Sequence, residues 1–152
     1  MEQKTQLIAS DQQPEIFITR LFDIPLELLF KAYTEPDLLE QWMGTKVLQL
    51  SNLVFGFFEF ETTDPAGNKH FFKGCIHEFE QDKKITRTFE IVNTGFPVQL
   101  EFIEFIAINE FQSELKMHIV YKSLDVRNKV LKMPFAFGLN MAHNRLENLL
   151  KN

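Results

Sequence analysis

Glu114-Leu115-Lys116-Met117-His118-Ile119-Val120-Tyr121-Lys122 sets the fold class. Leu115, Met117, Ile119 and Tyr121 alternate with Glu114, Lys116, His118 and Lys122. A strand shows that period of two when one sheet face is packed and the other is wet. Downstream the period lengthens. Phe135, Leu139, Ala142, Leu146 and Leu149 recur every three or four residues, an apolar stripe along a helix that should lie on the sheet. Asp125 is placed to cap this closing helix, and Pro134 predicts a break at Met133.

Working back from that strand, the period of two continues to about Lys46. Phe58, Phe60 and Thr62 alternate with Phe57, Glu59 and Glu61, and Asp64-Pro65-Ala66-Gly67-Asn68 supplies a turn to a partner strand from His70 to Phe79. Gln81-Asp82-Lys83-Lys84 turns again into Ile85 to Val92, and Asn93-Thr94-Gly95-Phe96-Pro97 leads to the next strand. There Val98, Leu100 and Phe102 are apolar, but Ile103 and Phe105 then flank Glu104, a change of phase that predicts a bulge or bend. Near the start, Ile16 and Ile18 mark a first strand ending near Phe22. Pro25 suits the first position of a helix carrying Leu26, Leu29, Phe30 and Tyr33 on one face. Thr34 and Asp37 have capping-box spacing for a second short helix with Leu38, Leu39 and Trp42, which Gly44 should stop. The expectation is an α+β fold with a six- to seven-stranded antiparallel sheet curved around a long C-terminal helix, and two short helices after the first strand.

A chain of 152 residues fits one domain. Residues 1–13 read as a flexible polar arm and residues 14–152 as the domain. Apolar runs are far shorter than the roughly 20 residues needed to span a bilayer, and the polar start lacks an apolar signal core. A net charge of -5 disfavours nucleic acid and anionic membrane as partners. Cys75, alone, reads as a buried structural thiol in a cytoplasmic protein. His70, His77, His118 and His143 are scattered, so they read as surface or rim residues, and neither a metal site nor a cofactor is expected. No nucleophile elbow or phosphate-binding loop appears, and no catalytic residue is assigned. The composition stands out for 17 Phe against one Trp and two Tyr. Such rings either fill a core or line a cavity.

Three strings carry a family resemblance. Phe22-Asp23-Ile24-Pro25 leading through Phe30-Lys31-Ala32-Tyr33-Thr34-Glu35-Pro36 to Leu39-Glu40-Gln41-Trp42 is similar to the N-terminal signature of the family related to the activator of heat-shock-protein ATPase. Phe58-Glu59-Phe60 with Asp64-Pro65-Ala66-Gly67-Asn68 and Phe72-Lys73-Gly74 resembles its central hairpin, and Asn144-Arg145-Leu146-Glu147-Asn148-Leu149-Leu150 its closing helix. The resemblance implies a helix-grip, START-like fold, which commonly encloses a hydrophobic ligand. Trp42, Phe58, Phe60, Phe89, Phe102, Met117, Tyr121, Phe135 and Leu139 fall on faces expected to point between sheet and closing helix. Arg87 shares parity with Phe89 and Ile91, so an inward face would make it a buried cation in need of a carboxylate or an anionic ligand group. The leading expectation is a noncatalytic binding domain for a small apolar or amphipathic ligand. Relatives also imply a chaperone-touching module, or an enzyme resembling polyketide cyclases and dehydratases in which Arg87, Glu90 or Tyr121 would serve. A weak homodimer through the wet sheet face is compatible with the pattern.

Overall fold

The computed structural model describes residues 2–151. Its eight strands are β1 (Gln6–Ile8), β2 (Glu15–Phe22), β3 (Lys46–Leu50), β4 (Phe57–Thr63), β5 (Lys69–Glu80), β6 (Lys84–Ile91), β7 (Gln99–Ala107) and β8 (Ser113–Val120). Helices α1 (Leu26–Thr34) and α2 (Pro36–Met43) follow β2, and α3 (Leu124–Lys132) and α4 (Phe135–Leu150) close the chain. The strands form one antiparallel sheet in the order β1-β2-β8-β7-β6-β5-β4-β3. Since β2 lies near one end of this sheet and β3 at the other, α1 and α2 form the crossover between them.

β8 shows why the sheet packs on one side. Ser113, Leu115, Met117, Ile119 and Tyr121 are buried while Lys116 is exposed, the alternation that its sequence predicts. α4 and the α1–α2 pair cover that dry side, burying Leu29, Phe30, Leu39 and Leu146 against it. At ~25 cal/mol per Å² of apolar surface, rings such as Phe22, Phe58 and Phe60, each 1% exposed, are among the largest individual contributions.

The sheet has one strand more than expected. Gln6–Ile8, part of the segment read as a polar arm, pairs with Phe17–Thr19 because Thr5 is drawn into a buried polar cluster that holds the chain against the edge of β2. Met1 of that arm and Asn152 lie outside the described residues.

Helix ends also differ in detail. Pro25 is the N-cap of α1, and the Thr34–Asp37 capping box does not form: Thr34 Oγ1 instead donates back to Phe30 O at 3.0 Å, and Pro36 starts α2. Gly44 stops α2 with φ 66°, the left-handed conformation that suits glycine. Ser123, not Asp125, caps α3 by accepting from Val126 N, which leaves Asp125 in the favourable first turn. The break falls where Pro134 requires it, with Met133 ending α3.

The bulge expected in β7 is not there, and its pairing runs unbroken on both sides. Register shifts occur instead between Val47 and Gln49 and between Ile76 and Glu78. The parity in β7 is constant: Glu101, Ile103 and Phe105 all point inward. Cys75 is half-buried, on the same β5 parity as the exposed Lys73 and His77. No helix among the described residues is long and apolar enough to cross a membrane.

Candidate functional site

Between the sheet and the two closing helices lies a cavity of about 390 Å³. Phe135, Gly138, Leu139 and Ala142 of α4 form one wall, and Phe89 and Ile91 of β6 with Met117 and Ile119 of β8 and Tyr121 just after it form the other. Tyr33 and Trp42, brought in by α1 and α2, close the inner end. The outer end reaches Phe96 and Pro97 of the β6–β7 turn and Met133 and Pro134 at the break between α3 and α4. Met133, Pro134 and Gly138 are exposed, which identifies this end as the mouth.

Into these apolar walls β6 and β7 introduce one ion pair. Arg87 and Glu101 face each other across the ladder, 7% and 4% exposed, and Arg87 Nε donates to Glu101 Oε1 at 2.9 Å. Glu101 Oε2 accepts from Gln99 Nε2 at 2.7 Å, so both carboxylate oxygens are engaged. The guanidinium carbon lies 4.9 Å from the Phe58 ring centroid and 5.4 Å from that of Phe89, a cation-π arrangement. Among the described residues neither Nη atom of Arg87 has a hydrogen-bond partner, nor has Tyr121 Oη, and both side chains line the cavity. Burial raises the Tyr121 hydroxyl pKa above its ordinary value, and burial does the same to Tyr33. Both are hydroxyl donors at neutral pH.

Seven of the ten residues singled out from the sequence line this cavity: Trp42, Arg87, Phe89, Met117, Tyr121, Phe135 and Leu139. Phe58 and Phe60 are inward but lie behind the wall, packed on each other at 5.1 Å, with Phe58 beneath Arg87. Gly74 makes room for that ring, since a Cβ there would overlap the Thr88 carbonyl and lie 2.5 Å from Phe58 Cζ. Phe102 points the other way. It is 36% exposed and stacks on His118 at 5.6 Å on the outer face, because Glu101 takes the inward position beside Arg87. Glu90 also faces outward with Lys73, away from the cavity. Sequence reasoning missed Glu101, Gln99 and Tyr33. The change of apolar phase between Phe102 and Ile103, which reads as a bulge or bend, was the available signal for the first: Glu101 shares the parity of Ile103 and Phe105.

A second polar cluster joins α4 to the N-terminal strands. Arg20, 1% exposed, donates through Nη1 to Asn144 Oδ1 at 2.9 Å, to Thr5 Oγ1 at 3.3 Å and to Asn140 Oδ1 at 3.4 Å, and through Nε to Leu21 O at 3.2 Å. Its Nη2 lies 3.8 Å from Glu147 Oε2. His143, expected at the surface, is 0% exposed, because Thr5 Oγ1 at 2.8 Å from Nδ1 and Tyr33 Oη at 3.2 Å from Nε2 satisfy both ring nitrogens. Burial, reinforced by the Arg20 charge, pulls its pKa down to about 3, so the imidazole is neutral. Among the described residues no group of three or more His, Cys, Asp or Glu side chains is arranged to hold a metal ion.

Solved structures share this architecture. A protein from Rhodobacter sphaeroides superimposes with a TM-score of 0.86 at 20% identity, covering 97% of each chain. One from Mycobacterium smegmatis gives 0.86 at 20% identity over 97% of this chain and 96% of that one. A third, from Nitrosomonas europaea, gives 0.80 at 23% identity over 95% and 97%. At such identities the likeness is one of fold. No curated protein matches the chain. The sequence pattern of the family described as "Activator of Hsp90 ATPase homolog 1-like protein" matches residues 23–151, from the turn after β2 through α4. The chain belongs to the Activator of Hsp90 ATPase homolog 1-like family.

Proposed function

We propose that the chain is a noncatalytic binding domain that holds a small apolar or amphipathic molecule between the sheet and α4. The observation that carries this reading is the cavity itself. Its volume of about 390 Å³ falls within the ~300–1,000 Å³ typical of small-molecule sites, and apolar walls with a few convergent polar groups are the usual composition of such sites. The noncatalytic part rests on the chemistry of those groups. Arg87 is paired with Glu101, both Glu101 oxygens are engaged, and the tyrosines keep their protons at neutral pH, so among the described residues no free general base faces the cavity.

Native mass spectrometry of the purified protein beside a denatured sample tests the proposal. A folded-state mass increment that disappears on denaturation, and that a Leu139→Trp substitution in the wall abolishes, is the expected result. An unchanged increment in that folded variant would place the molecule elsewhere and overturn the reading. The family description supports a second reading, contact with a chaperone ATPase. Stimulation of a purified chaperone's ATPase by the chain would favour it.

A further inference from the structure

We propose that the cavity selects molecules whose polar end is an uncharged hydrogen-bond acceptor, such as a ketone or amide carbonyl, and rejects the carboxylate on the same skeleton. The inference rests on the binding reading above and names the ligand class for it.

The donors come first. Arg87 offers two Nη groups without partners among the described residues, and Tyr121, whose hydroxyl also has none, lines the same cavity. Several N–H and O–H donors lining one apolar space call for an acceptor, and an apolar ligand end would leave them unmatched. A cationic ligand head would find Glu101, the carboxylate of the lining, already engaged on both oxygens.

Charge then divides the acceptors. Glu101 neutralises Arg87 through a direct 2.9 Å bond, and both groups are nearly buried. A carboxylate arriving at the Nη edge would be the second anion on one guanidinium, away from water. Two carboxylates sharing a site disfavour the ionisation of one of them. Among the described residues no second cation lines the cavity to relieve the conflict. Arg127 does not line the cavity, and its Nε and Nη1 donate to Asn128 Oδ1, Ser10 O and Glu15 O. At the Tyr121 hydroxyl the Glu101 charge outweighs that of Arg127. A neutral carbonyl meets no such penalty. The rings of Phe89, Trp42 and Tyr121 supply flat apolar surface for the rest of the molecule.

Isothermal titration calorimetry at neutral pH with naphthalene, acetylnaphthalene and naphthoate separates the possibilities on one skeleton. The intact protein should bind acetylnaphthalene about tenfold or more tightly than naphthoate. Glu101→Gln should shrink that ratio by about tenfold or invert it, since it leaves the Arg87 charge uncompensated. Tyr121→Phe, which keeps the ring, should weaken acetylnaphthalene by roughly fivefold and leave naphthalene unchanged. Naphthoate binding as tightly as the ketone overturns the inference while leaving the cavity reading intact, and so does a ratio unmoved in Glu101→Gln. Absence of heat with all three overturns both. If Glu101→Gln does not fold, the intact protein's ratio and Tyr121→Phe decide the matter.

Discussion

Arg20 and Arg87 are 1% and 7% exposed, and each sits beneath α4 with a carboxylate for company, yet their surroundings differ. Around Arg20 the protein supplies acceptors for Nε and Nη1, namely Leu21 O, Thr5, Asn140 and Asn144, while the buried Nη2 has the Glu147 carboxylate at 3.8 Å and no hydrogen bond among the described residues. Around Arg87 it supplies one bond and two aromatic faces, and leaves the Nη edge to a cavity of about 390 Å³. One guanidinium therefore clamps the N-terminal segment and β2 to α4, while the other keeps bonding capacity for something outside the chain. Burial alone does not separate a structural cation from a binding one. The count of acceptors does.

Removing the clamp should have the largest effect. Arg20→Met leaves Glu147 without its buried counter-charge and removes the guanidinium bonds to Leu21 O, Thr5, Asn140 and Asn144, and should lower unfolding free energy by about 3–5 kcal/mol, measured by urea denaturation. A loss below about 1 kcal/mol would erase the distinction drawn between the two arginines.

The same cluster predicts a pH dependence. The ordinary His pKa is 6.5 and that of folded His143 is about 3. Between those values the unfolded chain takes up a proton that the folded chain refuses, so stability is full above pH ~6.5 and falls as pH drops towards ~3, at up to about 1.4 kcal/mol per pH unit. His143→Gln should remove that component of the slope, read as the difference between the two stability–pH curves.

At the other arginine, the double substitution Arg87→Met with Glu101→Met should change stability by less than about 1.5 kcal/mol, because a buried pair replaced by apolar residues is often neutral. The matching Arg20→Met with Glu147→Met should remain costly, since Asp23 N then loses its carboxylate acceptor and Leu21 O loses the Arg20 Nε–H. Smallest of all, Phe102→Ser on the outer face should move the thermal midpoint by only a degree or two, an effect within ±0.5 kcal/mol.

Much of the frame was legible because it follows local rules. The alternation of β8, the turn at Asp64–Asn68 with Asp64 N donating to Asn68 O at 2.9 Å, the stop at Gly44 and the break at Met133 each depend on a few adjacent residues. What escaped depends on partners far along the chain. Phe102 and Leu100 look more apolar than Glu101, yet a bond to Arg87, fourteen residues away, turns the strand so that the carboxylate faces in. The stripe on α4 was read from its apolar residues, but Asn140, His143, Leu146 and Glu147 are the buried ones, and Leu149 is 39% exposed. Their partners come from Thr5 and Arg20, which no periodicity links to a helix more than a hundred residues later. Gln6–Ile8 went unnoticed for the same reason: its pairing is set by what Thr5 touches rather than by any strand propensity of its own.

Trp42 lies between the two regions. Its Nε1 donates to Ala32 O at 2.7 Å, its ring is 5.0 Å from that of Tyr33 and 6.2 Å from that of His143, and another part of it lines the cavity. As the only tryptophan, it gives the chain a single built-in fluorophore whose emission is set in an apolar, water-poor place. One spectrum then carries two signals: occupation of the cavity changes the quenching and polarity on one side of the indole, and protonation of His143 brings a cationic quencher to the other. Titrating a ligand at neutral pH and acid without ligand would let the same photon report, in turn, on the open arginine's cavity and on the closed arginine's clamp.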